Sequence, residues 1–158
     1  GNVPLRMYAG EAEIARKRWA SAIEHYEVVI AKQPNNALAL NNSAWARYES
    51  KDPKALEYAE RAAQAAPQSA AVLDTLGVIL VDKGNTERGV KVLKQAVAYA
   101  PKAPQTRLHL AEALIKSGDK AGAKTEIDTA LGLFVADSNV ENFQAALVAA
   151  CTSSGPCK

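Results

Sequence analysis

The feature that most limits the folds open to this sequence is a helical pattern that closes on a proline three times. Pro34, Pro67 and Pro101 each end such a stretch, at intervals of 33 and 34 residues. A regular period of about 20 to 50 residues is typical of units that cannot bury an apolar face alone and stack on copies of themselves. The sequence therefore predicts a stack of helical units, which favours a docking surface over an enzyme.

The clearest unit, residues 70–101, has the pattern of a helical hairpin. Apolar residues recur at helical spacing up to Leu80, Gly84 and Asn85 interrupt the pattern, and it resumes at Val90. Six positions then combine small and bulky side chains in a fixed order: Leu76, Gly77, Gly89, Leu93, Ala96 and Pro101. This order resembles the tetratricopeptide repeat, in which small residues let two helices pack closely.

Three neighbouring units carry the pattern less completely. The matching residues are Gly10, Trp19, Ala22, Tyr26 and Pro34 in the first unit, Ala44, Ala55, Ala59, Ala62 and Pro67 in the second, and Leu110, Ala111, Gly118, Ala123, Ile127 and Ala130 in the fourth. In the second unit, Asp52 followed by Pro53 predicts a capped helix start. The resemblance implies an all-α, right-handed α-solenoid of about four hairpins and a capping helix. The hairpins are expected at residues 3–36, 37–69, 70–103 and 104–133.

Residues 134–158 are expected to form an end that shields the last apolar face, as in other solenoids. Ser138 and Glu141 have capping-box spacing, and apolar residues follow at helical intervals up to Cys151. We therefore expect a capping helix at residues 138–151. The alternative is the first helix of a further repeat. Because the chain begins GNVPL without an initiator methionine, we expect a fragment of a longer protein.

Cys151 and Cys157 leave three possibilities open. They could form a local disulfide, which would imply an oxidising compartment. They could be free thiols, or they could take part in metal or redox chemistry. A metal site would need two further ligands, and the two histidines, His25 and His109, lie in separate units.

Composition and motifs argue against several functional classes. The net charge is +2 with acidic and basic residues interleaved, which provides no electrostatic footprint for nucleic acid or a membrane surface. The basic run at residues 16–18 is expected to complement the dipole at a helix C-terminus. No apolar stretch is long enough for a membrane span, and there is no phosphate loop, nucleophile elbow or paired-histidine motif. We expect no enzyme activity and no cofactor.

The first helices of such repeats line the concave face, so the resemblance implies a protein-binding groove there. The groove positions are Asn41, Trp45, Tyr48, Glu49, Asp74, Val78, Val81, Gln105, Leu108, His109, Glu112 and Ile115. Trp45 is notable because rigid aromatic side chains carry much of the binding energy at interfaces. The alternative is that Trp45 and Tyr48 merely fill the seam between repeats.

The groove residues also indicate which ligands fit. Co-chaperones of this family that hold a carboxylate use Lys, Arg and Asn side chains on the first helices. Here only Asn41 and Asn42 resemble that set, and Asp74 and Glu112 would repel a carboxylate. An extended or helical protein segment with apolar anchors is the expected partner.

A narrower resemblance extends over most of residues 34–131. Two segments of this range are similar to the C-terminal repeats of the tetratricopeptide lipoprotein of the exosortase and PEP-CTERM sorting system. They are PNNALALNNSAWARYESKDPKALEYAERAAQAAP and LHLAEALIKSGDKAGAKTEI. One position departs from this resemblance, because Val78 stands where a Trp is expected. This resemblance implies a scaffold in envelope polysaccharide export or protein sorting, periplasmic or anchored to the outer membrane, with a cytoplasmic location as the alternative. A spacer in a longer solenoid, or a regulatory domain fused to an enzyme such as a glycosyltransferase, are the other hypotheses.

Overall fold

The structure, a computed structural model, describes residues 2–136, which fold into eight α-helices and contain no strand. The helices are α1 (Val3–Ala15), α2 (Trp19–Lys32), α3 (Ala37–Glu49), α4 (Ala55–Ala65), α5 (Ala70–Asp82), α6 (Thr86–Tyr99), α7 (Pro104–Ser117) and α8 (Lys120–Ala136). Over this range, every helix is too short or too polar to cross a bilayer. The expected capping helix at residues 138–151 and the cysteines Cys151 and Cys157 lie outside the described residues.

Consecutive helices pack in pairs, and the pairs stack. Each odd-numbered helix packs against the helix that follows it, and each of α2, α4 and α6 packs in turn against the first helix of the next pair. The first helices also contact one another, α1 with α3, α3 with α5 and α5 with α7. Between residues 2 and 136, no comparable contact joins successive second helices. The predicted all-helical solenoid is therefore confirmed, and the first helices form its inner layer because they lie closer together.

Small residues bring the paired helices together, as the sequence predicts. A Cβ atom added at Gly77 would lie 2.5 Å from Cγ of Leu93 and 3.3 Å from the carbonyl oxygen of Gly89. One added at Gly10 would lie 2.6 Å from Cζ of Tyr26. Such separations are well inside van der Waals contact, so only glycine allows these helix crossings. Alanine takes the equivalent role elsewhere, at the buried positions Ala22, Ala44, Ala59, Ala62, Ala96, Ala111, Ala123 and Ala130.

The second hairpin has a turn that differs in detail from the prediction. The Oδ1 of Asp52 accepts a hydrogen bond from the backbone N–H of Lys54 at 2.9 Å, within the turn that precedes the helix. The regular helix begins at Ala55 with Lys54 as its N-cap, so the predicted helix start with Asp52 as the cap and Pro53 as the first helical residue is wrong. The Lys54 hydrogen bond lowers the pKa of Asp52; burial opposes this, and the guanidinium of Arg47 adds to the lowering. Asp52 thus remains charged and available for an ion pair.

A buried arginine joins the first two hairpins. Arg47, on α3, is only 8% exposed. Its Nη2 donates to Oε1 of Glu27 on α2 at 2.8 Å, and its Nη1 donates to Oδ2 of Asp52. The guanidinium carbon also lies 4.2 Å from the ring centre of Tyr58 on α4. Burial lowers the pKa of Arg47, but the hydrogen bonds to Glu27 and Asp52 outweigh it, so the guanidinium stays charged and cross-links three elements.

Candidate protein-binding groove

The inner layer carries an aromatic pair on α3. The ring centres of Trp45 and Tyr48 lie 5.5 Å apart with the planes tilted by 43°, a geometry that favours attraction between the edge of one ring and the face of the other. Both residues are partly exposed. The pair is therefore partly accessible to a ligand.

A small pocket opens beside this pair, between α3, α5 and α7. Its volume is about 60 Å³, and its lining consists of Tyr48, Val78, Val81, Asp82, Leu93, His109, Glu112, Ala113 and Lys116. Five of the predicted groove residues meet here: Tyr48, Val78, Val81, His109 and Glu112. Residues predicted from three separate repeats thus converge on one site.

Sequence reasoning missed two charged residues of the pocket, Asp82 and Lys116. Each follows a predicted groove residue by four positions, Asp82 after Val78 and Lys116 after Glu112. Residues four apart lie on the same helix face, one turn further on. That spacing was the signal that could have found them.

The remaining predicted residues do not line the pocket. They are Asn41, Trp45, Glu49, Asp74, Gln105, Leu108 and Ile115. Leu108 is only 3% exposed, and Val81, although it lines the pocket, is 8% exposed. These two side chains offer a ligand little surface. The prediction that they contact ligand directly needs this correction, because the neighbouring helices cover the face on which they lie.

His109 connects the inner faces of α5 and α7. Its Nδ1 lies 2.9 Å from Oδ2 of Asp74 on α5, and its Nε2 lies 3.0 Å from Nε2 of Gln105 one turn earlier on α7. Burial lowers the pKa of His109, but the hydrogen bond and charge of Asp74, with a further contribution from the charge of Glu112, raise it by more. The net pKa lies above the ordinary value, which favours an imidazolium paired with Asp74.

This pair predicts a pH dependence of stability. Since the folded-state pKa of His109 is raised, its contribution is fully present below its unfolded pKa of about 6.5 and is lost as pH rises through the folded pKa. We expect the free energy of unfolding of the parent protein to fall relative to that of His109→Gln between about pH 6 and pH 8.5. Urea titrations of both proteins at the two pH values would measure this.

Asp74→Asn is the matched control for the pH experiment. It removes the carboxylate that raises the pKa of His109 but keeps the shape of the side chain, so the pH-dependent difference should shrink. An equal stability difference between parent and His109→Gln at both pH values would contradict the assigned ion pair.

The rest of the described chain offers little that resembles a catalytic centre. His25 on α2 meets Arg6 on α1, with 2.9 Å between Nδ1 and Nη1. Within residues 2–136, no group of three or more His, Cys, Asp or Glu side chains is arranged to hold a metal ion. A wider hollow of about 520 Å³ lies at the edge of the second hairpin and is lined by Pro34, Asn35, Arg61, Gln64 and Ala65, without an aromatic residue.

Stacked helical hairpins with an aromatic groove on the inner layer define a helical-repeat scaffold. Two family models described as tetratricopeptide repeat match residues 4–70 and 80–147. Together they cover most of the sequence, so the chain belongs to the tetratricopeptide-repeat proteins.

Its curated relatives are much longer proteins. Cellulose synthase operon protein C of Komagataeibacter sucrofermentans is 30% identical over 109 residues, which is 66% of this chain. Cellulose synthase 1 operon protein C of Komagataeibacter xylinus is 31% identical over 105 residues, which is 63% of this chain. The chain spans about 8% of the length of these relatives.

Solved structures share the fold at low sequence identity. TTC0263 of Thermus thermophilus aligns with a TM-score of 0.79 and 18% identity, covering 93% of this chain and 82% of that one. MamA of Desulfovibrio magneticus RS-1 aligns with a TM-score of 0.74 and 20% identity, and the alignment covers 85% of this chain and 77% of MamA. An O-GlcNAc transferase mutant of Thermobaculum terrenum aligns with a TM-score of 0.68 and 22% identity. The alignment covers 71% of this chain and 22% of the transferase.

Proposed function

We propose that this chain is a non-catalytic scaffold that binds an extended or helical protein segment in the groove formed by α3, α5 and α7. The observation that carries the proposal is the partly exposed Trp45–Tyr48 pair beside the pocket. Large aromatic side chains held in place by packing lose little entropy on binding and so contribute most at interfaces. A groove of this size is compatible with micromolar binding, about 8 kcal/mol.

We further propose that this scaffold acts in the bacterial envelope, where it takes part in polysaccharide export or protein sorting. The names of the Komagataeibacter relatives, which refer to a cellulose synthase operon, support the polysaccharide part. The exosortase and PEP-CTERM part rests on the sequence resemblance over residues 34–131 alone. On that resemblance, the chain is part of a longer lipoprotein that is periplasmic or anchored to the outer membrane.

A second candidate function is a regulatory domain fused to an enzyme such as a glycosyltransferase. The Thermobaculum terrenum transferase favours it, because a fold similar to this chain accounts for 22% of that enzyme's length. In both cases the groove would bind protein. A pure spacer in a longer solenoid would not, and binding experiments therefore separate the spacer from the other two.

Replacing the aromatic pair is the direct test of the groove. The double variant Trp45→Ala, Tyr48→Ala is expected to weaken binding of groove-selected peptides by more than about 1 kcal/mol, since it removes the partly exposed aromatic pair beside the pocket. Peptides would be selected from a displayed library of random linear sequences against the parent protein. Affinities would be measured by fluorescence anisotropy, and helicity would be followed by far-UV circular dichroism.

Tyr99→Ala is the matched control for this experiment. Tyr99 is 51% exposed at the end of α6, on the outer layer, so its removal deletes an aromatic ring without touching the groove. Binding should survive this change. Peptides that tolerate the double variant would move the binding site to another face, and failure to select any peptide would favour the spacer.

A further inference from the structure

We propose that the pocket between α3, α5 and α7 receives a positively charged side chain, Lys or Arg, from the bound protein segment. This inference rests on the proposed function of the groove and adds the chemistry of the residue that the groove selects. It depends on three properties of the pocket, namely its uncompensated carboxylates, its aromatic wall and its size.

The carboxylates come from separate helices and converge on Tyr48. Asp82 on α5 and Glu112 on α7 line the pocket, and Glu49 on α3 stands beside it. After burial, the charges of Asp82, Glu49 and Glu112 are what raise the pKa of Tyr48, so all three act at the same hydroxyl group. None of the three forms an ion pair with another described side chain. A cation in the pocket would therefore meet negative charge that is free to pair with it.

Three positive side chains lie near these carboxylates, His109, Lys116 and Lys51, and they do not compensate them fully. His109 is paired with Asp74, at 2.9 Å, so its charge is already matched. Lys116 lines the pocket, yet within residues 2–136 its ammonium lies within ion-pair distance of no carboxylate. With Lys51, whose Nζ lies 5.2 Å from the ring centre of Tyr48, two ammonium charges stand against the three carboxylates of Glu49, Asp82 and Glu112. The local balance thus remains negative and disfavours an anionic ligand.

The aromatic wall adds attraction for a cation. The face of a tyrosine ring is electron-rich and attracts ammonium and guanidinium groups within about 6 Å of its centre. Lys51 already lies in this range of Tyr48, with its Nζ 5.2 Å from the ring centre, but it takes no part in the lining of the pocket. Tyr48 lines the pocket and Lys51 does not, so a cation in the pocket can reach the tyrosine side chain.

The size and the remaining walls of the pocket fit the end of a long basic side chain. A volume of about 60 Å³ corresponds to about two water molecules, at about 30 Å³ for each in the liquid. This is room for the end of a basic side chain, a guanidinium group or an ammonium with its last methylene group. Val78 and Ala113 supply apolar wall, against which the methylene stem of Lys or Arg can pack while its charge reaches Asp82 and Glu112.

The test compares charged and neutral peptides on the parent protein. We expect peptides selected from the random library to carry Lys or Arg next to an aromatic or apolar residue. Replacing that Arg by citrulline, or that Lys by norleucine, keeps the size of the side chain and removes its charge. We expect the neutral peptide to bind about tenfold more weakly than the charged one. We also expect the affinity of the charged peptide to fall as salt is added.

Protein variants locate the effect in the pocket. The double variant Asp82→Asn, Glu112→Gln should lose the same affinity for the charged peptide and should no longer distinguish it from the neutral one. The matched control, Glu57→Gln, Glu87→Gln, removes two charges from exposed positions on the outer helices α4 and α6 and should behave as the parent. Lys116→Gln should bind the charged peptide more tightly, by about threefold, because it removes a repulsive charge.

The possible outcomes separate this inference from the proposed function. A peptide could need Trp45 and Tyr48 for binding but bind equally well when its Arg or Lys is replaced by citrulline or norleucine. That result would overturn the inference that the pocket binds a cation and would leave the proposed groove in place. An equal loss in the Glu57→Gln, Glu87→Gln control would overturn it as well, since overall charge would then explain the preference. Failure to select peptides that depend on the aromatic pair would overturn the groove itself.

Discussion

Gly77→Leu is expected to lower the free energy of unfolding by about 3 kcal/mol, at the upper end of the cost of overpacking a helix interface. Even a single Cβ at this position would lie 2.5 Å from Cγ and 3.0 Å from Cδ2 of Leu93. Leu93 is completely buried, and the Cβ would also lie 3.3 Å from the backbone carbonyl oxygen of Gly89, which cannot move aside as a side chain can. The better helix propensity of leucine returns less than about 1 kcal/mol, so the steric cost decides the sign.

Two further substitutions turn this result into a test of the whole repeat register. Ala123→Leu, at a buried position on α8, should cost about 1 to 3 kcal/mol. Glu87→Leu, at an exposed position in the first turn of α6, should change stability by less than about 0.5 kcal/mol. Urea titrations followed by far-UV circular dichroism would measure all three. Equal, small effects at the three sites would contradict the assigned helix faces.

The fold was predictable from the sequence because steric constraints on helix pairing act over short distances. Gly77 and Gly89 are twelve residues apart and lie on the two helices of one hairpin, so their spacing alone specifies where the helices cross. The closing prolines mark the ends of the hairpins in the same local way. Stacking then follows, because each hairpin leaves an apolar face that only another hairpin can cover.

The groove was predictable only in outline. The inner helices follow from the repeat pattern, but whether a given residue on their inner face is exposed depends on how closely the next hairpin packs. Val81 is buried for that reason, in a cluster with Leu110 and Leu114 of the next hairpin. Trp45 and Tyr48 remain partly exposed at neighbouring positions of the same layer. Asp82 and Lys116 were missed because the groove residues were taken from the positions of the family pattern, and the residues one turn further along the same helix face were not added.

Arg47 was not predictable at all from local pattern. A single arginine in a helix ordinarily lies at the surface, and nothing in the sequence around it indicates burial. Its partners are twenty residues before it, at Glu27, and five and eleven residues after it, at Asp52 and Tyr58. These groups come together only when α2, α3 and α4 are packed. The second large effect on stability is expected here.

Arg47→Ala is expected to lower the free energy of unfolding by about 2 kcal/mol. Breaking a fully buried ion pair costs about 3 to 5 kcal/mol, because the partner is left charged and without compensation. Here the partner side chains are 41% exposed at Glu27 and 26% exposed at Asp52, so water restores part of that loss. Arg47→Lys should cost about 1 kcal/mol, since one ammonium group replaces neither the forked hydrogen bonds nor the stacking on Tyr58.

The control for Arg47 is a second arginine that also bridges two helices but lies at the surface. Arg88 on α6 pairs with Glu60 on α4 at 2.7 Å, with side chains 49% and 37% exposed. Because both charges are hydrated whether paired or not, Arg88→Ala should cost less than about 1 kcal/mol. The free energy of unfolding of both variants would be measured in parallel urea titrations. If Arg47→Ala loses no more of it than Arg88→Ala, burial adds nothing to the strength of the ion pairs of Arg47. The joint between the first two hairpins would then depend on its apolar contacts alone.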